Sequence, residues 1–412
     1  MKKEVHKMKT YFRTMVGIAV IFLLATTFSS KGVLANEIIK VGISDALSGP
    51  AAPWGIPKTQ AMTIQIDILN AAGGVKIGDK TYTIKYVLED DRGTAEGGAT
   101  VANKLIFRDK VDFMLCVGTT PPALSMGPIA QENKMLIFIN GTTGPGLSPK
   151  LSWVFRPHIT AYERALASLA YMVKNKPEVK KVVLYGSDTE GGRFDVKTFK
   201  QLIEAKTKWQ VVGEDYAPMG TKDYYPILSK FIAQKPDLMY TDSAPPGDVA
   251  LIIKQSRELG YNGIILNNTT IDVGDIVKIA GVKSCENVFL PNYDRNMSED
   301  MKRLTGAYYA KHKEHNDLVM FVADAVPIFI QALQGAKTTD KNAVKAYLQS
   351  GASYKSYMGP DGFFYGKDIV HYGIDNQFLA AVPIARIHEG KVDLISVVPP
   401  KDILELISPR RK

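Results

Sequence analysis

Two turns of this 412-residue chain hold the residue types that grip an anion. Leu115-Cys116-Val117-Gly118-Thr119-Thr120-Pro121-Pro122 ends an apolar run and opens a helix, with proline suited to a first helical turn. Ile139-Asn140-Gly141-Thr142-Thr143-Gly144-Pro145 ends the next apolar run. Backbone N–H groups and hydroxyls in such turns converge on negative charge, and a helix N-terminus adds its dipole. Either turn alone also reads as ordinary loop chemistry, because Gly, Thr and Pro are common turn formers. Two of them after neighbouring strands point to anion binding by Gly118, Thr119, Thr120, Gly141, Thr142 and Thr143.

A ligand amine would need an acid across the site. Asp188 and Glu190, in Gly186-Ser187-Asp188-Thr189-Glu190-Gly191-Gly192, and Asp242, in Tyr240-Thr241-Asp242-Ser243, stand at strand ends. The alternative for Asp188 and Asp242 is helix capping. Asn267-Asn268-Thr269-Thr270 ends a further strand and is neutral throughout. Trp54 and Phe321 are candidate aromatic walls.

Enzyme chemistry finds little support. The chain has no Gly-x-Ser-x-Gly elbow and no His-Glu-x-x-His helix. Gly186 and Gly191 have P-loop spacing, but Gly192-Arg193 stands where Lys-Ser/Thr is needed. His312 and His315 are three apart amid Lys311, Lys313 and Glu314, which reads as a solvated face rather than a metal site. A secreted α/β hydrolase needs a nucleophile–base pair, and six histidines in the whole chain argue against one. No enzyme activity, metal or cofactor is expected.

The elements that must position these residues alternate. Short β-branched runs at 38–43, 82–88, 112–117, 135–139, 181–185, 210–216, 238–241, 263–266 and 288–290 read as strands. Helix-like segments at 59–71, 94–107, 122–132, 161–174, 191–205, 224–233 and 246–259 separate them. Such alternation implies parallel sheets with helices on both faces. Beyond about residue 297 the pattern changes to helices at 299–312, 319–333 and 341–349. A Tyr/Gly/Phe-rich stretch follows, then a strand-like run at 378–387. The class is α/β, with two Rossmann-like lobes.

The first 35 residues read as an export signal. Lys2, Lys3, Lys7, Lys9 and Arg13 precede an apolar run from Met15 to Phe28, and Val33-Leu34-Ala35 suits cleavage after Ala35. The apolar run is shorter than the roughly 20 residues of a spanning helix. No cysteine lies near the cut, so no lipid anchor is expected and the mature protein is placed in the periplasm. Without this segment 45 basic residues face 41 acidic ones, and no basic run interleaves with aromatics, so nothing argues for nucleic acid and none is expected as a partner. Cys116 and Cys285 are read as separate thiols.

Val41-Gly42-Ile43-Ser44-Asp45-Ala46-Leu47-Ser48-Gly49-Pro50 followed by Trp54-Gly55 resembles the opening of the solute-binding proteins of ABC importers, of the branched-chain amino acid (Leu/Ile/Val) type. Gly141-Thr142-Thr143, Ala102-Asn103-Lys104-Leu105-Ile106 and Val322-Ala323-Asp324-Ala325 extend the likeness over nearly all of 36–395. The resemblance implies a type I periplasmic binding fold with two parallel-sheet lobes and a three-crossing hinge. The crossings would lie near Arg156-Pro157, Leu290-Pro291 and Met358-Gly359-Pro360. Lobe one would then span 36–157 plus 292–358, and lobe two 158–291 plus 359–412. It also implies that the two Gly/Thr turns hold a small carboxylate ligand, that Trp54 walls it, and that a monomer docks on an inner-membrane ABC permease. A sensor of the same fold, reporting to a signalling partner, is the alternative.

Two departures stand out. The family's small disulfide loop lacks its upstream cysteine, since Asp90-Asp91-Arg92-Gly93 has none. The acid that meets the ligand's ammonium near residue 270 is replaced by the neutral Asn268-Thr269. Either Asp242 or Glu190 takes over that task, or the ligand has no amine: an aromatic or short aliphatic acid rather than leucine, isoleucine or valine.

Overall fold

The computed structural model describes residues 36–115, 118–140, 146–269, 271–292, 298–369 and 372–407. The first apolar run becomes β1 (Glu37–Asp45), with Ile39, Val41 and Ile43 buried. β2 (Val75–Ile77), β3 (Lys80–Asp90), β4 (Phe113–Leu115), β5 (Ile137–Phe138) and β6 (Val154–Phe155) join it in the order β2-β3-β1-β4-β5-β6. β1, β4, β5 and β6 run parallel. Parallel neighbours need crossover connections. Here α1 (Ala52–Ala71), α2 (Ala95–Asn103) with a π-helical turn at Lys104–Arg108, and α3 (Thr120–Glu132) supply them.

The second sheet is built likewise from β7 (Lys181–Ser187), β8 (Gln210–Ala217), β9 (Leu238–Asp242), β10 (Ile264–Asn267) and β11 (Val288–Leu290), all parallel. Its helices are α4 (Ala161–Asn175), α5 (Glu190–Lys206), α6 (Tyr225–Ala233), α7 (Pro246–Glu258) and α8 (Val273–Ala280). The chain then forms α9 (Glu299–His312), α10 (Leu318–Phe321), α11 (Ala325–Ala336) and α12 (Lys341–Leu348). A small antiparallel sheet follows: β12 (Ser353–Ser356), β13 (Gly359–Tyr365) and β14 (Gln377–Leu379). Finally β15 (Val382–His388) and β16 (Lys391–Val398) pair antiparallel on the open edge of β11, and α13 (Pro400–Ile407) follows. The expected α/β class with mostly parallel sheets is what forms.

Three sequence expectations need correction. Helix α1 begins at Ala52, not Thr59, because Pro53 sits in the first turn where its missing N–H costs nothing. The start also needs Gly55, since a Cβ there would lie 1.9 Å from the Ala46 carbonyl oxygen. The helix expected at 319–333 breaks after Phe321. The buried Asp324 carboxylate takes the Ser356 hydroxyl and the Tyr357 N–H, each at 2.6 Å, and Gln65 donates to the freed Ala323 carbonyl at 2.8 Å. The apolar run 378–387 serves two sheets, β14 and β15, with Ala380-Ala381 between them. Both halves are buried, so hydrophobicity alone gave no sign of the break.

Aromatic side chains tie the small sheet to the first. Phe155 meets Phe138 at 6.3 Å and Phe364 at 5.7 Å, and Phe364 meets Phe378 at 5.4 Å. Arg156 bridges in parallel to Gln377, its N–H donating to the Asn376 carbonyl and its carbonyl accepting from Phe378, both at 2.8 Å. Met358-Gly359-Pro360 lies at the turn of the β12–β13 hairpin, and the chain reaches the seven-stranded sheet only at β15.

Candidate ligand-binding site

A cavity of about 90 Å³ opens between the first sheet's β–α turns and those of the second. Side chains and backbone from both line it, with Leu318 and Phe321 of α10. On the first side, β1 ends at Asp45, which is fully buried and accepts from the Ala46 N–H at 2.8 Å. Lys58, on α1 and 2% exposed, pairs with Asp45 at 3.0 Å and donates to the Gly118 carbonyl at 3.3 Å. This arrangement requires Gly118, because a Cβ there would sit 1.6 Å from Asp45 Oδ1. Beside them Asp91 accepts from Ser44 Oγ and the Gly93 N–H, both at 2.8 Å. Burial, and then the neighbouring Asp45 charge, push its carboxyl up to about 6.

Thr119 is the N-cap of α3 with extended backbone, yet its hydroxyl makes no capping bond. Thr119 Oγ1 and Trp54 Nε1 are both buried and lack a hydrogen-bond partner among the described residues. Both residues line the cavity. Buried orphan donors are rare, and two in one cavity mark a place where an acceptor is missing.

On the second side, α4 starts with a Thr160–Glu163 capping box, and Arg164 follows one residue later. Arg164 is 1% exposed and lines the cavity. Its Nε donates to the Asn268 carbonyl at 2.9 Å, and its Nη1 approaches the Ile159 carbonyl at 3.4 Å and His158 Nε2 at 3.5 Å. Burial, then the charges of Arg164, Lys58 and Arg156, hold His158 well below its ordinary range, so it is neutral and serves as an acceptor. Among the described residues no carboxylate pairs with Arg164 within 4.0 Å. The Phe321 ring lies 3.7 Å from His158, 5.7 Å from Lys58 Nζ and 5.9 Å from the Arg164 guanidinium carbon.

The structure separates the acids from the cavity. Asp242 is buried one layer behind it, accepting from Tyr240 Oη, the Ser243 N–H at 2.7 Å, Asn268 Nδ2 at 2.9 Å and Thr269 Oγ1 at 3.3 Å. Asp195 sits alongside, bonded by Ser243 Oγ at 2.8 Å, and burial followed by the Asp242 charge raises it well above the carboxylate range. Asp188 is exposed and pairs with Arg193, at 2.8 Å from Nε and 2.7 Å from Nη2. Glu190 is exposed in the first turn of α5. Thr189 is the actual cap of that helix, accepting from Gly192.

Of the residues singled out in the sequence, Trp54, Gly118, Thr119, Thr120, Thr269 and Phe321 line the cavity. Asn268 is fully buried behind it, fixing Asp242 with its side chain and Arg164 with its carbonyl. Gly141, Thr142 and Thr143 lie outside the described residues, as does Cys116; Cys285 is buried and free. Sequence reasoning missed Lys58 and Arg164. The one available signal was a charged residue on an otherwise buried helical face, as at Lys58 among Pro57, Thr59, Ala61 and Met62. His312 and His315 stack on Tyr308 and Tyr309, and no metal-binding group occurs among the described residues.

Among the described residues the cavity thus offers donors and cations, an aromatic wall and no carboxylate. Such a lining suits reversible capture of a small anion. A family model described as periplasmic binding protein matches residues 38–391. A Leu/Ile/Val-binding protein of Rhizobium johnstonii is 24% identical over 79% of this chain and 87% of its own length. A Leu/Ile/Val/Thr-binding protein of Salmonella typhimurium is 25% identical over 78% of this chain and 86% of its own. Among solved structures, a branched-chain amino acid transporter substrate-binding protein from Streptococcus pneumoniae, in complex with isoleucine, superposes with a TM-score of 0.74 at 21% identity, covering 88% of this chain and all of that one. A solute-binding protein from Rhodopseudomonas palustris, in complex with 3,4-dihydroxybenzoic acid, gives 0.74 at 20% identity over 88% and 98%.

Proposed function

The chain belongs to the periplasmic binding protein family, and from that premise we propose that it is the solute-binding component of an ABC importer, closing on a small carboxylate without an α-amine. The observation that carries the ligand class is the absence of any acid among the described residues whose side chains line the cavity. Asp242 is saturated behind the wall, and Asp188 and Glu190 face solvent. An ammonium enclosed here would meet Lys58 and Arg164 and, among the described lining residues, no counter-charge, which costs several kcal/mol. A carboxylate finds Thr119 Oγ1, Trp54 Nε1 and the N-terminus of α3.

In this reading the signal segment 1–35 is removed after Ala35 and a monomer works in the periplasm, delivering its ligand to a membrane permease. Lobe one comprises 36–157 and 292–379, and lobe two 158–291 and the chain from 382. The packing of Phe364 and Phe378 toward Phe155 supports moving the third crossing from Met358–Pro360 to Ala380-Ala381. Closure brings lobe two onto a ligand already seated on lobe one, a shift of population that the ligand's contacts drive.

Calorimetry with leucine and with 4-methylpentanoate, its amine-free counterpart, tests the ligand class. The acid is expected to bind at least about tenfold tighter. Sub-micromolar binding of leucine that survives Asp242→Asn and Glu190→Gln would end this reading.

A further inference from the structure

Resting on the carboxylate reading above, we propose that the ligand carries a second acidic group. It is a small dicarboxylate that spans the cleft from the Thr119 end to Arg164. The argument is one of hydrogen-bond satisfaction at both ends of one cavity. At the first end Thr119 Oγ1 and Trp54 Nε1 are buried donors without acceptors among the described residues. At the second end Arg164 uses Nε and Nη1 on protein acceptors, while no bond to Nη2 and no ion pair is found among the described residues. The nearby acids are committed elsewhere: Asp45 to Lys58, Asp242 to four donors.

A monoacid held at Thr119 leaves the guanidinium enclosed with N–H groups unmet on closure. A monoacid held at Arg164 leaves the indole and hydroxyl unmet instead. Either orphan carries the full desolvation penalty of its group. Thr189 and Gly191, at the N-terminus of the 17-residue α5, line the Arg164 end, so the helix dipole also favours negative charge there. A guanidinium binds a carboxylate with a two-pronged, charge-assisted geometry that a neutral oxygen does not match. Met219, Leu318 and Phe321 supply apolar contact for a hydrocarbon or aromatic link between the two acids.

Calorimetry on the full mature protein would compare glutarate with valerate and terephthalate with benzoate, with 5-hydroxyvalerate as the neutral-acceptor control. At least one diacid is expected to bind about tenfold or more tightly than its monoacid. Arg164→Gln should reduce that ratio to about one and Arg164→Lys should restore part of it, with circular dichroism and melting confirming the fold. If Arg164→Gln does not fold, the wild-type ratio and the lysine variant still decide. Equal affinities for diacid and monoacid overturn the proposal while leaving the carboxylate reading in place. A hydroxy acid that matches the diacid overturns the second charge. Tight leucine binding with no response to any amine-free acid removes both.

Discussion

On the first wall of the cleft the donors arrive through backbone geometry. A strand ends, a glycine lets Asp45 press against the turn, and an uncapped helix N-terminus opens beside an indole. On the second wall the donor is one long side chain, Arg164, held in place by a carbonyl 104 residues away. The two walls also treat acid differently. The first pairs Asp45 with a cation that lines the cavity, whereas the second hides Asp242 beneath hydroxyl and amide donors. In the proposed reading the walls divide the labour: the first would seat anions generally, and the second would select among them.

The comparison breaks most severely at Gly118→Ala. The new methyl cannot coexist with Asp45, so the buried Asp45–Lys58 pair must separate, and stability should fall by about 3–5 kcal/mol in urea unfolding. Thr119→Val is gentler and purely local. It should cost about 1.5–3 kcal/mol of ligand affinity, read by calorimetry, with little change in melting temperature. If binding is untouched while the fold stays intact, the first wall is not the seat.

Asp91 sharpens the contrast through pH. Its folded value is raised from 3.8 to about 6, so the fold prefers the neutral carboxyl. The stability it contributes is present in full below about pH 4 and lost as pH rises through about 6, amounting to about 3 kcal/mol. Asp91→Asn, which stays neutral, should flatten that limb of a stability–pH curve measured between pH 4 and 7; an unchanged limb would assign it elsewhere. The smallest effect is expected at the solvent face of the second wall. Asp188→Asn and Glu190→Gln should change affinity by less than about twofold, since an exposed Asp188–Arg193 pair contributes about 0–1 kcal/mol to the fold. A loss of binding in either would bring an acid back into the site.

How much of this was legible in the sequence follows the same division. The alternation of runs gave the two sheets, and the local chemistry of Gly118-Thr119-Thr120-Pro121 gave a turn that the fold does place at the cavity. Trp54 was found for the same reason, as part of a continuous strand–turn–helix. Lys58 and Arg164 were not, because their burial depends on partners distant in sequence: Asp45 and Gly118 for one, Asn268 for the other. Capping residues misled as well. Asp188 and Glu190 flank Thr189, and only the three-dimensional turn shows that Thr189 caps while its neighbours point outward. The break between β14 and β15 was invisible because the chain is buried without interruption on both sides of it, from Gln377 to Ala385.

The pairing of β15 with β11 has a consequence for the order in which the molecule can be made. The second sheet begins at Lys181, yet β11 keeps an open edge until Val382 and the residues after it have been synthesised. The first lobe waits too, since helix α11, arriving nearly three hundred residues after β1, is what packs Phe329 against Phe113 at 5.0 Å. Neither core is complete without these late segments, because contacts this distant in sequence must close first. The interleaving therefore ties the completion of both cores to the last quarter of the chain, so a truncated product would leave each half unfinished.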